Sequence, residues 1–130
     1  TNEQDPLDRI FRRLDAAREM IIRRRNKKGG CLIGNLSAAL SDTRPEFRKR
    51  LSECFDEMAA EFQSHLAEAA ADRGLTDKVD PWELARSIVS VIEGAIMLSR
   101  TQRDISLIEQ QIQRLKGEVK RSFQNEAAAA

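Results

Sequence analysis

The stretch from Leu84 to Leu98 is apolar on nearly every side of the helix that it would form. Its apolar members are Leu84, Ala85, Ile88, Val89, Val91, Ile92, Ala95, Ile96, Met97 and Leu98. A helix with this pattern must be covered on nearly all sides. Asp80 and Pro81 precede it and form a strong start signal, because Asp can cap a helix and Pro fits the first helical position. The sequence therefore predicts an enclosed helix over 81–100.

Four further helices are predicted from apolar residues that recur at spacings of three and four. The predicted ranges are 6–28, 31–40, 47–74 and 104–123. Asp5 and Pro6 open the first helix, and the glycines at 29 and 30 end it. The last helix carries a heptad-like seam suited to packing against another helix. Because no stretch alternates with a period of two, we expect an all-α, antiparallel helical bundle of about five helices.

Length and charge narrow the class of protein. At 130 residues the chain is predicted to be one domain, spanning 1–130. Its 22 Lys and Arg residues balance 21 Asp and Glu residues, whereas nucleic-acid-binding domains carry a basic excess. The chain shows no apolar run long enough to span a membrane and no signal peptide, and its two cysteines form no CxxC pair. We therefore expect a cytoplasmic protein with no membrane partner.

Candidate catalytic residues are scarce. The one histidine, His65, lies in the middle of a predicted helix between Glu61 and Glu68. The sequence contains no HExxH motif, no Gly-rich phosphate loop and no nucleophile elbow. We therefore predict no catalytic residue, no metal site and no cofactor. A small helical enzyme that binds a metal through His65 and a carboxylate is the alternative.

Several segments, in this order, resemble the C-terminal effector-binding domain of TetR-family transcriptional regulators. They are Gly30–Leu36, Ser41-Asp42, Pro45–Arg48, Ile92–Ala95 and Arg100–Asp104. The resemblance implies a helical homodimer in which the last two helices and their twofold copies form a four-helix bundle. It also implies that operator DNA is contacted only through an N-terminal helix-turn-helix domain, which we expect to be missing from this chain.

The predicted dimer interface lies on the last two helices. Its residues are Val91, Gly94, Ala95, Leu98, Ile108, Ile112, Leu115 and Val119. Gly94 and Ala95 lack bulky side chains, which would allow two helices to approach closely. The alternative is that all of these residues belong to one monomeric core.

The predicted effector is a small apolar or amphipathic molecule that binds between the helices. The apolar candidates for its site are Phe11, Leu14, Phe55, Met58, Phe62, Trp82, Ile88, Ile92 and Met97. The polar candidates are Cys31, Asn35 and Glu93. Binding sites in bundles combine apolar walls with a few polar groups in this way. The alternative is ordinary core packing, and with it a helical dimerisation module without a ligand.

Cys31 suggests a second mode of regulation. It follows two glycines at the start of a short helix, near the basic run over 23–28. A helix N-terminus and nearby cations lower the pKa of a thiol and make it reactive. Some relatives with a cysteine in this segment respond to electrophiles or oxidants, so the resemblance implies a thiol-based sensor as an alternative. The competing interpretation is a buried cysteine that packs as an inert, small apolar residue. The basic run itself is interpreted as a solvated helix end, or as a contact to the DNA-reading domain.

Overall fold

The computed structural model describes residues 5–24 and 30–129, with side chains described as far as residue 124. The described residues form five α-helices and no strand. The helices are α1 (Pro6–Arg23), α2 (Leu32–Leu40), α3 (Pro45–Asp72), α4 (Pro81–Gln102) and α5 (Ser106–Ala129). The predicted all-α bundle of five helices is confirmed. The basic residues at 25–28 lie outside the described part of the chain.

The starts of α1 and α4 follow from local side-chain chemistry. The Asp5 carboxylate accepts a hydrogen bond of 3.0 Å from the backbone N–H of Leu7. Asp80 accepts two bonds of 3.1 Å, from the backbone N–H groups of Trp82 and Glu83. The first turn of a helix leaves its N–H groups without backbone partners, and these carboxylates supply them. Both predicted start signals are confirmed.

Two residues with left-handed backbone end the long helices. Gly74 follows α3 with φ of 67°, and Arg103 follows α4 with φ of 55°. The N–H groups of Arg103 and Asp104 both donate to the carbonyl of Ser99. The Asp104 carboxylate then accepts hydrogen bonds from the N–H and hydroxyl of Ser106, so α5 begins two residues later than predicted.

The core of the bundle is built around α4. This helix packs along α3 and α5, while α1 covers α3 and α5, and α2 packs on α3. The largest side chains with less than 2% exposure come from four helices. They are Ile10, Leu14, Leu66, Ile88, Ile108, Leu115 and Val119.

The apolar seam of α5 lies inside the protomer. Ile108, Ile112, Leu115 and Val119 are at most 2% exposed, and Ala95 of α4 is 6% exposed. Since α1 and α4 of the same chain cover this seam, a partner cannot reach it. The assignment of these five residues to the dimer interface is therefore corrected. Their spacing identifies a buried face but does not say which chain covers it.

One face of α4 remains uncovered in the protomer. Met97 is 62% exposed and Leu98 is 50% exposed, while Val91 and Gly94 are half-buried. Residues spaced by seven share a helix face, so Val91 and Leu98 line this surface together. The sequence predicts that α4 is covered on nearly all sides. In the protomer, one of these sides is not covered by the chain itself.

Candidate regulatory site where α2 meets α4

Three polar residues proposed from the sequence meet at the N-terminus of α2. Cys31 is the N-cap residue of α2, and Asn35 lies in its first turn. Glu93 reaches this turn from α4, and the Cys31 thiol forms a hydrogen bond with its carboxylate. The fold therefore brings Cys31, Asn35 and Glu93 together.

Gly34 allows the Glu93 carboxylate to approach α2 closely. A Cβ atom at position 34 would lie 2.5 Å from Oε2 of Glu93, which is closer than real Cβ contacts. The carboxylate thus occupies the space that a side chain at this position would need. It also lies at the positive end of the α2 dipole, which favours an anion there.

Arg100 belongs to the same cluster, although the sequence analysis did not select it. Its Nη1 atom donates to Oδ1 of Asn35 over 3.3 Å. Its side chain also lies against Gly30, where a Cβ would be 3.3 Å from Nη1 and the backbone φ is 59°. Glu93 and Arg100 are seven residues apart, so both lie on one face of α4. This spacing is the sequence feature from which Arg100 could have been added to the cluster.

The pKa of the Cys31 thiol is raised. Burial is the main cause, and the hydrogen bond and negative charge of Glu93 raise the pKa further. Backbone N–H groups of Gly34 and Ile33 act in the opposite direction, as a helix N-terminus should, but they are outweighed. A lowered pKa, which the thiol-sensor alternative requires, is therefore not supported, because the thiol is half-buried and the half-buried carboxylate of Glu93 lies against it.

We expect Cys31 to react slowly with iodoacetamide at pH 7.5. Only the thiolate is nucleophilic, and the raised pKa reduces its population. In a Cys54→Ser background, which leaves Cys31 as the one thiol, alkylation should be slower than that of free cysteine. Adding Glu93→Gln should accelerate it, because the substitution removes the negative charge. Mass spectrometry of the alkylated protein measures both rates. A Cys31 that reacts faster than free cysteine would contradict the raised pKa.

The apolar residues proposed for the effector site differ widely in burial. Leu14, Phe62 and Ile88 are buried in the core, whereas Phe11, Trp82 and Ile92 are half-buried against it. Phe55 and Met58 are half-buried on α3, and Met97 is exposed. Since α4 rises about 1.5 Å per residue, Trp82 and Met97 lie roughly 22 Å apart along its axis.

Two surface depressions lie away from these residues. One is lined by the start of α4 with Ser122 of α5, and the other by Met20, Arg23 and their neighbours on α1. Neither contains a residue of the proposed effector set. Of that set, the structure groups the polar members and distributes the apolar members through the core and surface.

His65 is half-buried on α3. Its pKa is lowered by burial and by the positive charges of Arg9 and Arg13, despite the opposing charges of Glu68 and Glu61. The described residues contain no group of three or more His, Cys, Asp or Glu side chains that could hold a metal ion. None of the described helices is both long and apolar enough to cross a membrane.

Comparison with known proteins gives one match. A family model described as the tetracyclin repressor-like C-terminal domain matches residues 6–115, from the start of α1 to the middle of α5. Comparisons with curated proteins and with solved structures give no match.

Proposed function

The chain belongs to the family of tetracyclin repressor-like (TetR) C-terminal domains, and we propose that it binds a small-molecule effector that changes the DNA affinity of a repressor. The match over residues 6–115 carries this proposal, because it covers α1 to α4 and about half of α5. The near-balance of positive and negative charge supports it as well. A domain with a net charge of +1 is suited to regulation, with DNA contacted by a separate domain.

The proposed mechanism is a shift between two arrangements of the helices. The effector is small and apolar or amphipathic, and its polar end meets the cluster of Cys31, Asn35, Glu93 and Arg100. Here Arg100 supplies hydrogen-bond donors and Glu93 supplies an acceptor. An effector that prefers one position of α2 changes the population of that position. Coupling of this kind is typically worth 1–3 kcal/mol, which corresponds to about a 5- to 150-fold change in DNA affinity.

The same proposal includes a homodimer in which α4 and α5 lie beside their twofold copies and α4 makes the contact. The exposed face of α4 with Val91, Gly94 and Leu98 is the predicted interface that remains after correction. A Cβ at Gly94 would meet nothing within 4 Å in the protomer, so this position has room for a close-packed helix. A symmetric dimer buries the same patch on both copies, and a four-helix bundle is the resulting arrangement.

One observation favours a dimerisation module without a ligand as a second candidate. Leu14 and Ile88, which were proposed to contact the effector, are fully buried in a packed core. The two candidates differ in whether any small molecule binds. The thiol sensor through Cys31 is not favoured, since the pKa of this thiol is raised.

Native mass spectrometry of the purified chain, incubated with a metabolite extract of its source cells, separates these candidates. The proposal predicts a dimer, at twice 14.7 kDa, that carries an adduct of one defined mass, which is lost on denaturation. The fluorescence of Trp82, the one tryptophan in the chain, should change as the isolated compound is titrated. A dimer that takes up no compound from the extract would support the ligand-free module instead.

A further inference from the structure

The short helix α2 is held on the bundle with little apolar burial. None of its nine residues is buried, and Leu32 is 68% exposed. Its backbone packs on α3. Elements with few buried apolar contacts open at low free energy, so the position of α2 depends on its remaining contacts.

Those remaining contacts include a polar set that α4 provides at the N-terminus of α2. The Glu93 carboxylate fills the space beside Gly34 and accepts a hydrogen bond from the Cys31 thiol. In the same first turn, Asn35 accepts a hydrogen bond from Arg100. We refer to Cys31, Gly34, Asn35, Glu93 and Arg100 as the α2 clamp.

Glu93 is central to the α2 clamp for two physical reasons. Its negative charge lies at the positive end of the α2 dipole, where it stabilises the helix and attracts it to α4. A Cβ at position 34 would lie 2.5 Å from its Oε2 atom, so a side chain there would require the Glu93 carboxylate to move away from α2. Arg100 and Asn35 add one hydrogen bond to the same first turn of α2.

We propose that Glu93 is the positioning residue that fixes α2 against α4, and that α2 is released when this carboxylate is neutralised or displaced. An effector that takes the carboxylate as its own hydrogen-bond acceptor would have this result. The regulatory meaning of the release rests on the proposed function, whereas the contact itself does not.

The first test is the hydrogen–deuterium exchange of the backbone amides over 32–40 in the full chain. Glu93→Gln keeps the size of the side chain and removes its charge. Exchange in α2 should become about 3- to 10-fold faster. This change is smaller than the loss of a fully buried, charged hydrogen bond would cause, because the site is partly exposed. Exchange at the core residues of α5 should not change. The matched control is Glu118→Gln, which removes a charge from an exposed site on α5 and should leave α2 unaffected.

The second test is a double-mutant cycle between positions 34 and 93. Gly34→Ala in a Glu93→Ala background should slow exchange in α2, because Ala favours helix and its Cβ then has room. In the parent chain, the slowing of exchange by Gly34→Ala should be smaller by at least about threefold, because the new Cβ displaces the Glu93 carboxylate. Gly117→Ala provides the control, since its Cβ meets only the mobile end of Arg121. Its effect on exchange should be the same in both backgrounds.

Two results would overturn the inference. One is unchanged exchange in α2 after Glu93→Gln, and the other is an effect of Gly34→Ala that is the same with and without Glu93. Neither measurement requires an effector or an operator. If exchange in α2 becomes faster in Glu93→Gln but the chain binds no small molecule, the α2 clamp stands and the proposed function fails. If exchange is unchanged but the chain binds a small molecule, the α2 clamp fails and the proposed function stands.

Discussion

Replacing Leu115 by Ala is expected to lower the free energy of unfolding by about 2–5 kcal/mol, the usual cost of removing a large buried side chain. Leu115 is 1% exposed in the protomer, and α1 and α4 of the same chain cover its face of α5. Total stability for a domain is about 5–15 kcal/mol, so the loss would be a large part of it. Urea unfolding followed by circular dichroism, at a protein concentration low enough to populate monomers, measures the change.

The control for this prediction is Leu98→Ala on α4. Leu98 was assigned to the same interface from the sequence, but half of its surface is exposed in the protomer. Its truncation should cost the monomer less than about 1 kcal/mol, as for other substitutions outside the core. If Leu115→Ala lowers the free energy of unfolding no more than Leu98→Ala does, then the α5 seam is not the core of the protomer. The seam would then again be a candidate for the contact with a partner.

Replacing Leu98 by Glu is expected to weaken the proposed homodimer by at least about 100-fold. In a twofold dimer each copy contributes the same face, so one substitution brings two carboxylates into an apolar contact. Charges that lose water without gaining partners are costly, and about 2.8 kcal/mol is sufficient for a 100-fold change. Sedimentation velocity over a range of protein concentrations should show the parent as a dimer and the variant as a 14.7 kDa monomer.

Leu32→Glu provides the matched control for the dimer. Leu32 is an exposed leucine on α2, a different helix from the one that carries the proposed interface. Glu in the first turn of a helix is favoured by the dipole, so this variant should fold normally and remain a dimer. If both Glu variants sediment like the parent chain, then the exposed face of α4 is not the dimer contact.

The fold could be predicted from sequence because its helices are set by local features. Asp5 and Asp80 mark helix starts through hydrogen bonds to residues two or three positions away. The apolar spacing of α5 likewise identifies its buried face. What covers that face depends on how distant helices pack, and the spacing itself is the same for a core and for a dimer.

The candidate site was predicted less completely for the same reason. Cys31, Asn35 and Glu93 were selected as polar residues within apolar segments, and they do lie together. The pKa of Cys31 could not be predicted, because its direction depends on burial and on Glu93, which only the tertiary fold places beside the thiol. Arg100 was missed since an arginine near a helix C-terminus is also explained by the helix dipole.

The decisive measurement is the affinity for operator DNA of the proposed full-length regulator, with and without the compound found by native mass spectrometry. Fluorescence anisotropy of a labelled operator duplex at fixed salt provides the measurement. The account predicts that a saturating amount of the compound changes the dissociation constant by about 5- to 150-fold. An affinity that stays the same when every effector site is filled would contradict it.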